Sequence, residues 1–116
     1  MEPVLEAREV VAIQERVRAT RLDRSIGEYL VELAEATRSH PSIKTGCSPR
    51  GTLALFRASQ ACAFLKGRDF VIPEDVKQVA VPVLAHRLAL DTKAKYSGVA
   101  KDDVVREILD TVPVGV

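Results

Sequence analysis

Apolar residues recur three and four positions apart along most of this chain, with charged residues between them. This spacing places the apolar side chains on one face of an α-helix. The helix over residues 49–66 is apolar on more than one side, which predicts that it is the central, buried helix of the fold. The pattern predicts helices over residues 5–18, 23–39, 49–66 and 102–110, and a further helix that begins at Pro73.

Proline and glycine set the expected ends of these helices. Gly67 suits the left-handed position that follows a helix. Pro82 is expected to break or kink the fourth helix, because proline lacks the backbone N–H and its ring clashes with the preceding turn. A short helix would then end near residue 88. Residues 89–99 have the composition of an exposed loop, with a short strand over residues 88–90.

These elements predict an all-α fold, a small bundle of five to six helices with at most a short two-stranded β element. The 116 residues are the length of one ordinary domain. Residues 111–116 are expected to be a tail. Hydrophobic residues make up 47% of the chain and aromatic residues only 4%, so the core must be built from aliphatic side chains.

The charge balance excludes broad classes of function. A net charge of +1 gives no general attraction to nucleic acid or to an anionic membrane. No apolar run is long enough to span a bilayer, and residues 1–20 are too charged for a signal peptide. We therefore expect neither membrane insertion nor nucleic-acid binding. Two cysteines form no disulfide framework, which favours a cytoplasmic location.

The stretch Ser48-Pro49-Arg50 raises the main chemical question. Ser48 is a good N-cap residue, and Pro49 suits the first helical position. Arg50 therefore lies in the first turn of a helix, where an exposed cation costs about 0.3–1 kcal/mol against the helix dipole. Either Arg50 is an ordinary surface arginine, or it shares an anion with the free amides of that turn.

Arg50 shares one stripe of its helix with Ala54, Arg57 and Ala61, because the steps between them are four, three and four. The alanines leave room for close approach. Arg50 would be the main phosphate contact, with Arg57 as a secondary one, since a guanidinium matches phosphate oxygens in charge and shape. Two solvated arginines with surface partners would give the same pattern.

No other group of residues indicates a catalytic or metal site. His40 and His86 have no second histidine or cysteine at metal-ligand spacing, so no metal site is expected. Cys47 precedes a helix, where thiols can be reactive, but a small loop residue is the simpler interpretation. Cys62 is expected in the core. Asp75 lies in a first turn, where the helix dipole is sufficient to explain an acidic residue.

The phosphate-binding motif G-x-x-x-x-G-K-[ST] does not occur in the 116 residues, and no strand ends in acids that could hold Mg²⁺. By itself, this chain is therefore not expected to be an enzyme.

The segment "GCSPRGTLALFRASQACAFLKGRDFVIPEDVKQVAVPVLAHRLAL" resembles the C-terminal lid of MoxR-type AAA+ ATPases. That family has a G-A-S-P-R motif that opens a helix, then L-x-L-x-R-A, then G-R-x-x-V-x-P-x-D-V. The matching residues are Gly46, Ser48, Pro49, Arg50, Leu53, Leu55, Arg57, Ala58, Gly67, Arg68, Val71, Pro73, Asp75 and Val76. The flanking stretches "PVLEAREVVAIQERV" and "DDVVREILDTVPV" are also similar, so the resemblance covers essentially residues 1–116.

The resemblance implies a lid that closes over ATP bound to a P-loop core, which lies outside this chain. It implies that Arg50 is the sensor 2 residue, reaching the γ-phosphate, and that Gly46, Ser48, Pro49 and Ala54 belong to the nucleotide-binding surface. The implied cofactors are ATP or ADP with Mg²⁺ in the longer ATPase, with none bound tightly by this chain alone. The implied partners are that core and the neighbouring subunits of a ring, which is usually a hexamer. The resemblance also implies client proteins, such as von Willebrand factor type A domain proteins. A chaperone of this kind remodels or matures its clients.

Two positions depart from the family pattern. Cys47 stands where the family usually has alanine, a small change that should leave the loop intact. Ile72 stands where threonine often caps the next helix, so that cap is expected to be lost or to be replaced by the neighbouring acids.

Two other classes of function stay open on the sequence. One is a small helical nucleic-acid module, of the histone-fold or helix-turn-helix kind, against which the near-neutral charge argues. The other is a free-standing adaptor that binds protein partners through an exposed apolar patch.

Overall fold

The computed structural model describes residues 7–114. Six α-helices lie in this range, and a 3₁₀ turn and two very short strands complete it. The bounds are α1 Ala7–Arg18, α2 Arg24–Ser39, β1 Ile43–Thr45, α3 Pro49–Leu65, α4 Pro73–Leu84, a 3₁₀ turn Ala85–Arg87, β2 Ala89–Leu90, α5 Thr92–Tyr96 and α6 Lys101–Thr111. The predicted all-α bundle is confirmed. Residues 5–6 of the predicted first helix and residues 115–116 of the predicted tail lie outside the described residues.

Helix α3 is central, as its apolar surface predicts, because it packs against α1, α2 and α4. One side of α3 is fully buried and includes Leu55 and Ala63, each 0% exposed. The core around it is almost entirely aliphatic, in line with the composition. Its largest fully buried members from the other helices are Tyr29, Leu30, Leu33, Val76, Leu84 and Val105.

Several apolar residues that the periodicity assigns to helix faces have no cover within the described chain. Helix α1 has no buried residue, and Val11 is 51% exposed. On α3, Leu53 is 55% and Leu65 is 82% exposed. Cys62, expected in the core, is only half-buried. The exposed side of α3 is therefore partly apolar, although the helix is central.

Strand β2 falls within the predicted short strand, and its partner β1 lies in the loop after α2. The two strands are antiparallel, with Ile43 paired to Leu90. Both side chains are buried and join the core. A separate bridge pairs Arg21 with Phe70 and ties the α1–α2 connection to the α3–α4 connection.

The structure corrects two local predictions. Of the break or kink expected at Pro82, the break does not occur, because α4 continues to Leu84, and the 3₁₀ turn Ala85–Arg87 lies where the short helix was expected. Gln78, whose carbonyl loses its helical partner at Pro82, and Pro82 itself both lie on the exposed side, where water can satisfy that carbonyl. The second correction concerns the predicted loop over residues 89–99, which contains α5. Asp91 caps this short helix by accepting the Ala94 N–H at 2.7 Å.

Candidate functional site

The N-terminus of α3 is built as the sequence predicts. Ser48 has an extended backbone, and its hydroxyl oxygen accepts a hydrogen bond from the Gly51 N–H at 3.2 Å. Pro49 is the first helical residue. Arg50 therefore lies in the first turn. Pro49 has no N–H, and the N–H groups of Gly51 and Thr52 bond to Ser48, so the Arg50 N–H is the amide of this turn that can still meet an anion, which the helix dipole also favours.

Arg50 is exposed, and among residues 7–114 no hydrogen bond or ion pair holds its guanidinium. Arg57 is also exposed and equally without such a partner in this range. Ala54 lies between them and is partly exposed. The structure thus brings the three residues to one open stripe of α3, with two cations available to an external group and a small side chain between them.

The loop before α3 is fixed against the last turn of α2. The Cys47 N–H donates to the Thr37 hydroxyl oxygen at 2.9 Å. The Cys47 carbonyl accepts a hydrogen bond from Arg38 Nε at 3.0 Å. Gly46 lies directly on the helix, because a Cβ at this position would come within 2.7 Å of the Arg38 Cα. A side chain at residue 46 would push the loop, and with it the start of α3, away from α2.

Cys47 is a packing residue and not an accessible thiol, since it is only 1% exposed. Its sulfur lies 3.3 Å from the Ser48 carbonyl oxygen and 3.7 Å from the Thr52 hydroxyl oxygen. A Cβ on Gly51 would come within 2.6 Å of the same sulfur. Gly51 therefore leaves room for the Cys47 side chain, which is larger than the alanine side chain of the family pattern.

Asp75 does more than match a helix dipole. It is 0% exposed, and its two carboxylate oxygens accept hydrogen bonds from Arg68 Nη1 and Nη2 at 2.6 Å each. One of these oxygens also accepts the Ile72 N–H at 2.9 Å, which is the reciprocal half of a capping box, while the N-cap bond that a hydroxyl at residue 72 would accept is not made. Of the two outcomes expected for the missing threonine, the N-cap bond is lost, and Asp75 stabilises the start of α4 only through the Ile72 N–H.

The pKa of the Asp75 carboxyl is set by opposing effects. Burial raises it, but the hydrogen bonds from Arg68 and from the Ile72 N–H, with the charges of Arg68 and Lys66, outweigh burial and hold the pKa below its ordinary value. The same ion pair raises the pKa of Arg68. The pair closes the α3–α4 connection, which begins at Gly67 with a φ of 79°.

Neither histidine contributes to the stripe. His40 follows α2, and its Nδ1 accepts the Ser42 N–H at 3.0 Å. His86 Nδ1 lies 3.0 Å from the Pro82 carbonyl oxygen. Within residues 7–114, no group of three histidines, cysteines or acids is placed to hold a metal ion. In the same range, every helix is too short or too polar to cross a membrane.

Comparison with known proteins assigns the chain to a family. Residues 35–108 match the AAA lid domain family. YeaC of Bacillus subtilis strain 168 is 44% identical over 116 residues, which is 100% of this chain and 36% of YeaC. The chaperone MoxR1 of Mycobacterium tuberculosis is 30% identical over 118 residues, covering 94% of this chain and 31% of MoxR1.

A solved structure agrees with these relatives. The crystal structure of a "putative ATPase" from Cytophaga hutchinsonii superposes with a TM-score of 0.89 at 30% identity. The match covers 94% of this chain and 36% of that protein. The chain thus spans only about a third of the length of the proteins it resembles.

Proposed function

The chain belongs to the AAA lid domain family, as the lid of a MoxR-type AAA+ ATPase, and on this premise we propose that it closes over ATP bound to a P-loop core of the same protein. In this proposal Arg50 is the sensor 2 residue, which contacts the γ-phosphate. The core would hold the adenine, Mg²⁺ and the remaining phosphate contacts.

The exposed guanidinium of Arg50 at the start of α3 carries this proposal. Nothing in residues 7–114 neutralises it, and the helix dipole opposes its charge. A triphosphate removes the conflict, because its oxygens can accept hydrogen bonds from the guanidinium and from the Arg50 N–H, the first-turn amide that does not already bond to Ser48. Residues Gly46, Ser48 and Pro49 fix this turn, and Ala54 leaves space beside it.

The mechanism we propose is electrostatic. The contact with Arg50 stabilises bound ATP more than bound ADP, because the guanidinium binds the terminal phosphate, which ADP lacks. This differential affinity favours the closed arrangement of lid and core before hydrolysis and the open one after the γ-phosphate is lost. Arg57 lies on the same stripe and is a second candidate contact, either to nucleotide or to a neighbouring subunit of a ring, usually a hexamer.

The names of the relatives suggest what the proposed opening and closing of the lid does in the cell. The mycobacterial MoxR1 is named a chaperone, and we propose that the ATPase containing this lid remodels or matures client proteins, including von Willebrand factor type A domain proteins. The described cysteines, Cys47 and Cys62, are both free, which fits a protein of the reducing cytoplasm.

Nucleotide discrimination tests the proposal without requiring turnover. The full-length ATPase and its Arg50→Ala variant would be titrated with ADP and with a non-hydrolysable ATP analogue. We expect the variant to lose about tenfold in affinity for the triphosphate and much less for ADP, since a charge-assisted hydrogen bond contributes about 1.5–3 kcal/mol. Arg106→Ala is the control, because Arg106 lies on α6 and pairs with Asp103. Equal losses for both nucleotides would contradict the proposed contact.

A further inference from the structure

We infer that Thr37, a residue of α2, is a positioning residue for Arg50. The inference rests on the proposed function, in which Arg50 must meet a phosphate at hydrogen-bond distance. Thr37 is 0% exposed and would touch no nucleotide itself. Its effect would pass through the loop that it holds, and from there to the first turn of α3.

The hydroxyl of Thr37 uses both of its hydrogen-bonding functions. It donates to the Ala34 carbonyl oxygen at 2.6 Å, within its own helix, and accepts the Cys47 N–H at 2.9 Å from the loop. The neighbouring residue, Arg38, binds the other polar group of Cys47, its carbonyl, at 3.0 Å. Two consecutive residues of α2 therefore hold the N–H and the C=O of Cys47.

The segment between this anchor and Arg50 has little freedom. Ser48 is held as the N-cap through the Gly51 N–H, and Pro49 has a fixed φ. The loop also cannot settle closer to α2, because Gly46 already lies against the Arg38 backbone. A displacement of Cys47 is thus transmitted to the start of α3 and moves the guanidinium of Arg50. Small misplacements of this kind can cost a large factor in rate.

Thr37 could instead be a buried hydroxyl that matters for stability alone. Removing it would leave the buried Cys47 N–H without its acceptor, so some destabilisation is expected on either interpretation. A double substitution distinguishes the two interpretations. If Thr37 positions Arg50, its substitution should no longer change turnover once Arg50 is removed. If Thr37 is purely structural, its substitution should lower turnover by the same factor with or without Arg50.

The experiment measures ATP turnover by the full-length ATPase in a double-mutant cycle of Thr37→Val and Arg50→Ala. Valine keeps the shape of threonine but cannot accept the Cys47 N–H. We expect Thr37→Val to lower kcat about fivefold to tenfold with KM less affected. Thr37→Ser, which keeps the hydroxyl, should restore most of the activity. In the Arg50→Ala background, Thr37→Val should cause no further loss.

Ser59→Ala is the matched control. Ser59 is also 0% exposed and its hydroxyl donates to the Leu55 carbonyl oxygen at 2.7 Å, but this bond is internal to α3. We expect it to leave kcat unchanged. Should Thr37→Val fail to fold, Arg38→Met provides the same test, because Arg38 is exposed and its side chain holds the Cys47 carbonyl.

The outcomes separate this inference from the proposed function. If Arg50→Ala lowers kcat but a folded Thr37→Val does not, the positioning role is wrong and the role of Arg50 stands. The positioning role is equally wrong if Thr37→Val lowers kcat by the same factor with and without Arg50. If Arg50→Ala itself leaves kcat unchanged, both ideas fail.

Discussion

Asp75 and Arg68 form a bidentate ion pair at the connection between α3 and α4. Both carboxylate oxygens accept guanidinium hydrogen bonds at 2.6 Å, and the carboxylate is fully buried. Because Asp75 also caps the Ile72 N–H, a single side chain closes the connection and begins the next helix. The geometry explains why the motif from Gly67 to Val76 contains both an arginine and an aspartate.

Asp75→Ala should destabilise the chain by about 2–3 kcal/mol, because it removes the partner of Arg68 and the acceptor of the Ile72 N–H. The loss should be below that of a completely buried pair, since the Arg68 side chain is 23% exposed and can reach water. Urea unfolding measures the effect. Glu74→Ala is the control, because Glu74 is exposed in the same turn. Equal, small losses for both variants would contradict the structural role of the pair.

Acid should remove the contribution of Asp75 over a defined range. Its pKa lies below the ordinary 3.8, so the unfolded chain takes up this proton first as the pH falls. The stabilisation is complete above about pH 4 and is lost as the pH falls through the folded pKa. We expect the difference in unfolding free energy between the native chain and Asp75→Asn to stay level from pH 7 to pH 5 and to shrink below pH 3.8. A difference that grows in acid would contradict this assignment.

Gly46→Ala should displace the loop before α3. The new methyl group would come within 2.8 Å of three atoms of Arg38, two of which are backbone atoms that cannot give way easily. We expect a loss of about 1–3 kcal/mol in stability from this overpacking. Gly27→Ala is the matched control, since its methyl group would lie at an ordinary 3.4 Å from Leu22. Thermal unfolding of the two variants compares them, and a Gly46→Ala variant as stable as Gly27→Ala would show that the contact is not tight.

Substitutions of two leucines of α3, which are two residues apart, should affect different properties of the protein. Leu55 is 0% exposed, and Leu55→Ala should cost about 2–5 kcal/mol of stability through the cavity it leaves. Leu53 is 55% exposed, so Leu53→Ser should change the stability of the chain by no more than about 0.5 kcal/mol. In the proposed longer ATPase, Leu53→Ser should weaken the proposed ATP-dependent closure, because we expect this exposed apolar side of α3 to meet the core. Unfolding curves and turnover assays together measure both effects.

The start of α3 could be predicted from the sequence because its signals are local. An N-cap serine, a first-turn proline and the apolar spacing that follows all lie within a few residues of Arg50. The same local reasoning did not show that α4 continues past Pro82, where an exposed position tolerates the missing hydrogen bond. It was wrong at α5, where five residues are too few to show a helical period.

Other features depend on residues that are distant in sequence. Periodicity shows that Leu53 and Leu65 lie on a helix, but not which of its sides another helix covers. Asp75 could be predicted as a first-turn acid, whereas its burial depends on how Arg68 folds back over it. The contact of Thr37 with Cys47 joins residues ten positions apart across a loop, and no spacing pattern in the sequence predicts it.

The most direct test of the proposed role of Arg50 is ATP turnover by the proposed longer ATPase with Arg50 and with Arg50→Ala, with nucleotide binding and folding followed in parallel. We expect kcat to fall by about tenfold or more while the protein stays folded, because without Arg50 the closed arrangement in which hydrolysis occurs is less populated. Turnover equal to that of the native protein would contradict it. Arg50 would then be a surface arginine on a domain that has the lid fold without the proposed contact to ATP.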